Sequence, residues 1–418
     1  AVGDKNNENY IQWRRAGDFL NSSPFPSIFK NSSNLRESVQ PQFIRQGDAD
    51  NAWLVAVISV CCLKPQLIAN LFLSKDGSND PSVNNEDKMY GFYRMKLCDK
   101  GIWTECILDD LFPCRPYWLP VMANTPLNDQ LWPHLIEKLA AKMKGNCYQA
   151  LDGGSPADAF ADLTGCPTET YDLREYDTDL VFEKIHKSYN QNNYNLLAVA
   201  ICNEGNDIQN VEDSIGLLST HTYSVLAIDM NQAKIKVRDP FGRNEEKFSG
   251  QYAAESRKEG HGMIWLSFDE FVQYFTSVIV CYSENDYKEA RQTIDISFDA
   301  EKKEVSVPVL KLTVPNGGNV EYLGLSQKDL TAHTKQDKNV NASQLDLCLF
   351  VFKASSNAET LNAEKDEPYG YIPMSTQRNK FVKFGASDDD VKSNDLSSGV
   401  SWKNGDRLTQ GSYFLVPW

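Results

Sequence analysis

The sequence feature that most constrains the fold is a change in hydrophobic periodicity near residue 285. Before this point, segments with apolar residues at helical spacing are interleaved with segments in which apolar and polar residues alternate, as they do in strands. After it, helical spacing disappears, and short strand-like runs separated by polar turns continue to the end of the chain. Because 418 residues are also too many for one ordinary hydrophobic core, we predict an α+β part followed by an antiparallel β-sandwich.

The α+β part contains several segments whose type the pattern predicts. The predicted helices cover residues 53–73 (with a break at residues 64–65), 129–145 and 176–192. The predicted strands cover residues 89–110, 195–203, 221–230 and 234–242, and residues 263–275 read as a strand that enters a helix. Residues 1–50 are polar and rich in Pro and Ser, so we expect an extended lead-in there.

Charge and hydropathy exclude two classes of function. The net charge is −15 and the chain has no cluster of Lys and Arg, so nucleic acid is not expected as its main partner, because phosphate binding needs such clusters. No apolar run is long enough to cross a bilayer. Binding to an anionic membrane surface is also unlikely on charge grounds, since anionic lipids attract basic patches.

The cysteines and the first residues bear on the compartment. Ten cysteines lie scattered among apolar neighbours, without any CxxC pair, so neither zinc nor redox spacing is present, and the sequence predicts buried, reduced thiols. The first residues include neither an initiator Met nor an apolar signal segment, which we interpret as a processed end. These features predict a cytoplasmic location.

Three short blocks carry a resemblance to a known family. Residues 46–53 read QGDADNAW, residues 220–225 read THTYSV and residues 238–242 read RDPFG. They resemble the QGxxGDCW, GHxYSV and RNPWG blocks of the calpain family of papain-fold cysteine proteases. Further blocks follow the family's order in residues 103–113, 131–142, 148–155, 160–165 and 265–271. Each block alone is a weak signal, but their common order and spacing are specific over about residues 12–283, and the resemblance continues more weakly to Trp418.

The resemblance implies a domain organisation. We expect a two-lobed papain-like core, with residues 1–167 as its first lobe and residues 168–284 as its second. Residues 285–418 are then expected to form the β-sandwich domain of the family.

The resemblance also implies the positions of the catalytic residues. A thiol protease needs a cysteine at a helix N-terminus, a histidine to move its proton, a third group that orients the histidine and a donor for the oxyanion. Gln46 falls at the oxyanion position, His221 at the general base and Asp239 where the family has its orienting asparagine. Taken alone, a histidine in an apolar strand is more often a core residue, so the role of His221 depends on the surrounding blocks.

The nucleophile position is occupied by Ala52, which has no group that can attack a carbonyl. Cys61 lies over two helical turns away, roughly 13 Å along a helix, and cannot serve the same histidine. Either a Cys→Ala change has inactivated a protease, or the chain is naturally a pseudoprotease. Asp50, Asn51 and Phe241 also differ from the family blocks, and several changes together favour the pseudoprotease, in which all the catalytic positions are vestigial.

The family's two core calcium sites are also altered. Phe43 replaces an aspartate of the first site, whose acidic partner falls on Asp158, while His261 and Met263 fall on acidic positions of the second. Because calcium prefers carboxylate and carbonyl oxygens, we expect neither a metal nor any other cofactor.

The resemblance therefore predicts a non-catalytic module that binds or scaffolds proteins. Calpain-like proteins of protists that lack the catalytic cysteine associate with the cytoskeleton, flagella or membrane, so cytoskeletal or axonemal partners and a cytoskeletal or flagellar location are implied by analogy. Two other classes stay open: a calcium-dependent cysteine endopeptidase carrying an inactivating change, and a membrane-surface protein led by the β-sandwich.

Overall fold

A computed structural model gives the architecture of most of the chain. The residues that it describes are 10–20, 26–74, 90–116, 120–126, 129–190, 194, 196–202, 215–243, 245–283, 288–299, 304–327, 347–354, 360–361, 368–375, 379–383, 401–402 and 408–417. The chain forms two compact units, the first built mainly from residues up to Tyr287 and the second mainly from the residues after it.

The first unit mixes helices and strands. Its described helices are α1 (Ala16–Phe19), α2 (Leu35–Ser38), α3 (Ala52–Cys61), α4 (Pro65–Ala69), α5 (Trp132–Gly145), α6 (Pro156–Thr164), α7 (Thr178–Asn190), α8 (Ala253–Glu259) and α9 (Phe268–Tyr274). Its described strands are β1 (Gln12–Arg15), β2 (Phe72–Leu73), β3 (Phe92–Asp99), β4 (Ile102–Asp109), β5 (Leu111–Cys114), β6 (Thr168–Asp172), β7 (Leu196–Cys202), β8 (Thr222–Asp229), β9 (Lys234–Arg238), β10 (Met263–Ser267) and β11 (Phe275–Tyr282).

A six-stranded antiparallel sheet is the largest element of this unit, with strand order β10-β9-β8-β7-β11-β6. Strand β7 reads LLAVAIC and is buried along almost its whole length, in contrast to the alternation of a half-exposed strand. The reason is that β7 and β8 contact both α3 and α7, and a strand covered by helices carries a continuous apolar run.

Helix α3 is buried over all ten of its residues. Its sequence, AWLVAVISVC, has no polar face, as expected for a helix surrounded by protein on every side. The predicted break is confirmed, because α3 ends at Cys61 and α4 begins at Pro65, where proline suits the first helical turn. The predicted continuation of the helix to Leu73 is wrong: Phe72–Leu73 forms β2 and pairs with β3.

Most of the other predicted elements are confirmed in type. They are α5, α7, the strand β7, the hairpin of β8 and β9, and the strand-to-helix passage from β10 to α9. The periodicity did not predict α6, α8, β5, β6 or β11. The prediction of an extended lead-in over residues 1–50 is wrong in part. Strand β1 pairs with β5, and this segment also contains the short helices α1 and α2.

The second unit consists of strands in the residues described. They are β12 (Ser297–Asp299), β13 (Glu304–Ser306), β14 (Leu310–Asn319), β15 (Tyr322–Ser326), β16 (Leu347–Ala354), β17 (Pro368–Ser375), β18 (Asn379–Lys383), β19 (Ser401–Trp402) and β20 (Thr409–Pro417). Five of them form a sheet in the order β14-β20-β16-β17-β19, while β12 pairs with β13 and β15 with β18. Leu323 and Leu325 of β15 pack against the core formed by Val314, Val351 and Tyr413 of the larger sheet. The two units together confirm the predicted α+β class.

None of the helices described is long and apolar enough to span a membrane.

Candidate active site

Ala52 is the first residue of the buried helix α3 and is itself only 7% exposed. A side chain at this position lies at the positive end of the helix dipole, where a thiol would be stabilised as thiolate. The first turn of α3 contains no acidic residue that would oppose this effect. The methyl group of Ala52 cannot ionise, so the helix dipole has no thiolate to stabilise at this position.

His221 and Asp239 form a buried pair. Nε2 of His221 lies 3.2 Å from Oδ1 of Asp239, whose side chain is completely buried. The backbone N–H of Phe241 also donates to this Oδ1 over 2.9 Å, which fixes the carboxylate. Because a carboxylate only accepts hydrogen bonds, Nε2 is the donor, and Nδ1 of a neutral imidazole is then free to accept a proton.

Two aromatic rings hold the imidazole of His221. Phe241 stacks on it with the ring planes 5° apart and the centroids separated by 5.5 Å. Tyr223 meets it edge-on with centroids 5.3 Å apart. Sequence reasoning gave Asp239 the orienting role, and the rings add a second restraint on the same side chain.

Contacts between distant segments bring the predicted site residues together. Ser224, three residues after His221, donates its hydroxyl to the carbonyl of Ala56, one turn after Ala52 in α3, over 2.8 Å. The backbone N–H of Gln46 donates to the carbonyl of Pro240, next to Asp239, over 2.9 Å. These two contacts join the first turns of α3 and the loop of Gln46 to the segments that carry His221 and Asp239.

Gln46 is buried and its amide is engaged within its own loop. Nε2 donates to the carbonyl of Ala49 over 2.8 Å, while Oε1 is a buried acceptor with no partner in the part of the chain described. The next residue, Gly47, packs so closely that a Cβ atom there would lie 2.2 Å from the carbonyl oxygen of Val121. This close approach fixes the loop that carries Gln46.

A buried pair that sequence reasoning missed lies directly before Ala52. Nδ2 of Asn51 donates to Oε1 of Glu137 over 2.6 Å, and the backbone N–H of Ala123 donates to Oε2 over 2.8 Å. Glu137 is fully buried, and this burial raises its pKa from 4.5 to about 7 despite the two hydrogen bonds, which act in the opposite direction. The available signal was a lone glutamate among the apolar residues of α5.

Arg238 lies beside Asp239 and ties the sheet to α3. Its guanidinium is completely buried and donates to the carbonyl of Ile44 over 2.7 Å, to Oγ of Ser59 over 3.2 Å and to the carbonyl of His261 over 3.2 Å. Burial lowers the pKa of Arg238 to about 10, so it stays charged at neutral pH.

The four degenerate calcium positions have other surroundings. Phe43 packs against the hydrophobic core and Met263 is buried in β10. His261 is exposed, with its carbonyl bound by Arg238. Asp158 lies in the first turn of α6, where its N–H approaches the N-cap side chain of Ser155. Among the described residues, no group of three or more His, Cys, Asp or Glu could hold a metal ion.

A shallow pocket of about 400 Å³ adjoins the stacked rings. It is lined by Leu218, Phe241, Arg243 and Lys247. The guanidinium of Arg243 lies over the Phe241 ring, 5.5 Å from its centroid. The pocket thus offers apolar surface and two exposed cations next to His221.

The arrangement has a defined chemical capacity. His221, oriented by Asp239, can accept or return a proton, and the start of α3 can stabilise negative charge. Neither group forms a covalent bond to a carbonyl carbon, which is the step that the nucleophile performs in acyl transfer.

Comparison with known proteins agrees with these features. A profile of the family described as "Calpain family cysteine protease" matches residues 2–282. The human calpain-1 catalytic subunit is 27% identical over 308 residues, covering 67% of this chain and 39% of that protein. Calpain-5 of Caenorhabditis elegans is 25% identical over 320 residues, covering 65% and 46%. Calpain-type cysteine protease DEK1 of Arabidopsis thaliana is 26% identical over 294 residues, covering 65% and 13%. In each case the match spans less than half of the relative's own length.

Proposed function

Because this chain belongs to the calpain family of cysteine proteases, we propose that it is a non-catalytic member that binds protein partners instead of cleaving them. The observation that carries the proposal is Ala52 at the start of α3, in a chain that keeps a hydrogen-bonded His221–Asp239 pair. The site retains a frame for holding a peptide and lacks the atom that would attack it.

The neighbouring pocket supports binding of a peptide segment of defined chemistry. Phe241 and Leu218 offer apolar surface, and Arg243 and Lys247 offer positive charge in a chain whose net charge is −15. A partner segment with an apolar side chain next to a carboxylate complements this surface. By analogy with family members that lack the cysteine, we place such partners in the cytoskeleton or the axoneme.

A cleavage assay tests the non-catalytic part of the proposal. The purified chain is incubated with casein with and without calcium, and with a thiol-directed protease inhibitor. We expect no turnover and no inhibitor attached at position 52. Turnover by a homogeneous preparation, abolished by His221→Ala, would contradict the proposal.

A pull-down from the native source tests the binding part. The double variant Arg243→Glu/Lys247→Glu should lose captured partners, whereas Lys187→Glu/Lys258→Glu, which changes two exposed lysines on other helices, should retain them. Equal capture by both double variants would show that this pocket does not hold the partner.

The competing function is a calcium-dependent endopeptidase in which a Cys→Ala change has removed activity. The codon for residue 52 in the natural gene separates the two: a cysteine codon supports the endopeptidase, and an alanine codon supports the pseudoprotease.

A further inference from the structure

Three thiols from separate elements meet in the core, at the end of α3 opposite to Ala52. Cys61 is the last residue of α3, Cys166 follows α6 and Cys281 lies in β11. Cys61 and Cys281 belong to one hydrophobic core, and Cys166 packs against it. Neither the proposed function nor the catalytic frame uses any of them.

Thr164 fixes the geometry of two of these thiols. Its hydroxyl donates to the carbonyl of Phe160 over 2.6 Å, so it can only accept from its other neighbours. Cys281 Sγ lies 3.5 Å from this oxygen, and the N–H of Cys166 donates to it over 3.1 Å. The thiol of Cys166 itself donates to the carbonyl of Thr164 over 3.4 Å, so both thiols contact the same residue.

The strand register supports the same proximity. Cys281 lies opposite Thr168 in the β6–β11 ladder, and the N–H of Tyr282 donates to the carbonyl of Pro167 over 2.9 Å. Cys166 is therefore two residues from the cross-strand partner of Cys281. Diagonal neighbours on paired strands lie roughly 7–8 Å apart, so a disulfide between these two residues requires the backbone segments to move closer together.

We propose that Cys166 and Cys281 form a redox-responsive pair that closes to a disulfide when a small-molecule disulfide is available as oxidant. The half-exposed Cys166 attacks first, as thiolate, displaces one small thiol and forms a mixed disulfide. Cys281 then attacks the sulfur of Cys166 and releases the second small thiol. Two protein thiols are oxidised, one small disulfide is reduced, and the two protons leave with the released thiols.

The two cysteines differ in a way that fits this order. Cys166 is half-exposed, so an oxidant can reach it, whereas Cys281 is fully buried. Burial raises the pKa of the Cys281 thiol, so this thiol reacts slowly with free oxidant and rapidly only with a sulfur placed beside it. The disulfide would join the end of α6 to β11 across a loop of roughly a hundred residues, a length at which crosslinks restrict the unfolded chain strongly.

The test is oxidation with glutathione disulfide, followed by peptide mapping without reduction. We expect one crosslinked peptide pair, Cys166 with Cys281, and a rise in melting temperature of roughly 5 °C that dithiothreitol reverses. Cys147→Ser, which removes a half-exposed thiol elsewhere in the chain, should behave like the wild type.

Two variants distinguish a pair from an isolated reactive thiol. In Cys281→Ser the reaction should stop at a stable mixed disulfide on Cys166. In Cys166→Ser, Cys281 should stay reduced, and this second result tests the proposal independently if Cys281→Ser folds poorly. A mixed disulfide that persists on Cys166 in the wild type, or a crosslink between other cysteines, would overturn the proposal.

Discussion

Position 52, at the start of α3, carries a methyl group that has no lone pair, while His221 is hydrogen-bonded to Asp239 and stacked on the ring of Phe241. The residues next to it have also changed: Asn51 uses its amide to bind the buried Glu137. The environment of position 52 is therefore organised around that buried contact as well as around the imidazole.

Ala52→Cys tests whether the nucleophile alone is missing. Loss of one member of a coupled catalytic set can lower the rate by roughly 10⁶, but restoring it leaves Asp50, Asn51 and Phe241 unlike the family. We expect peptidase activity indistinguishable from that of Ala52→Cys/His221→Ala, measured on a fluorogenic peptide with and without calcium. Strong, calcium-stimulated cleavage by the single variant would identify the chain as an inactivated protease.

Glu137 makes stability depend on pH. Burial raises its folded-state pKa to about 7, above that of the unfolded chain. Its contribution to stability is therefore fully present below the unfolded pKa, near 4.5, and is lost as the pH rises through about 7. Glu137→Gln should remove this dependence and raise the free energy of unfolding at pH 8, by at most about 3 kcal/mol.

Urea unfolding between pH 5 and pH 8 measures this effect. Glu175→Gln, a change at an exposed glutamate, is the matched control and should follow the wild-type profile. An unchanged pH dependence in Glu137→Gln would mean that Glu137 is already ionised at low pH in the folded protein.

At the scale of elements, the packing of α3 against the six-stranded sheet determines where the site forms. Ser224 and Arg238 bind α3 from neighbouring strands, the first through the carbonyl of Ala56 and the second through Ser59. Arg238 also binds the carbonyls of Ile44 and His261. One guanidinium thus joins α3, the loop before Gln46 and the turn before β10.

Arg238→Met should destabilise the fold because it leaves two buried carbonyls without their donor. We expect a loss of at least about 2 kcal/mol in the free energy of unfolding. Arg238→Lys should have a stability between those of the wild type and Arg238→Met, since one ammonium cannot reach all three acceptors. Arg36→Met, at an exposed position, should change stability by less than about 0.5 kcal/mol. An equally small change in the free energy of unfolding for Arg238→Met would show that the hydrogen bonds of Arg238 are dispensable for stability.

At the scale of the whole molecule, the arrangement of the first unit rests on direct protein contacts. Residues of α3, α5 and α6 share one hydrophobic core with residues of β7 and β11. Phe43 and Met263, which the motif order assigns to calcium positions of the family, belong to this packing and offer no carboxylate. A calcium ion can shift such an arrangement only if it binds one form better than another.

We therefore expect millimolar calcium to leave the melting temperature of the chain unchanged, because Asp158 is the one carboxylate left at these positions and a site of low charge binds weakly. Differential scanning calorimetry with and without calcium measures this, with Asp158→Ala as the comparison. Cooperative stabilisation by several degrees that Asp158→Ala abolishes would show that a working calcium site survives.

Features that depend on local pattern and on the order of motifs can be predicted without the structure. The apolar run of α3, its break before Pro65, the α+β class and membership of the family all follow from residues close together in the chain or from their order. The assignment of Ala52 to the nucleophile position of the family is a prediction that rests on the order of the motifs.

Features that depend on contacts between residues far apart in the chain become visible in the folded structure. Phe72–Leu73 became a strand because it pairs with β3, which outweighs its helical preference. Asn51 meets Glu137 across 86 positions of the chain, and Cys281 meets Thr164 across 117. Folding removes water from around these groups, and this burial raises the pKa of Glu137 and brings the thiols together. No local sequence pattern records which residues will be neighbours after folding.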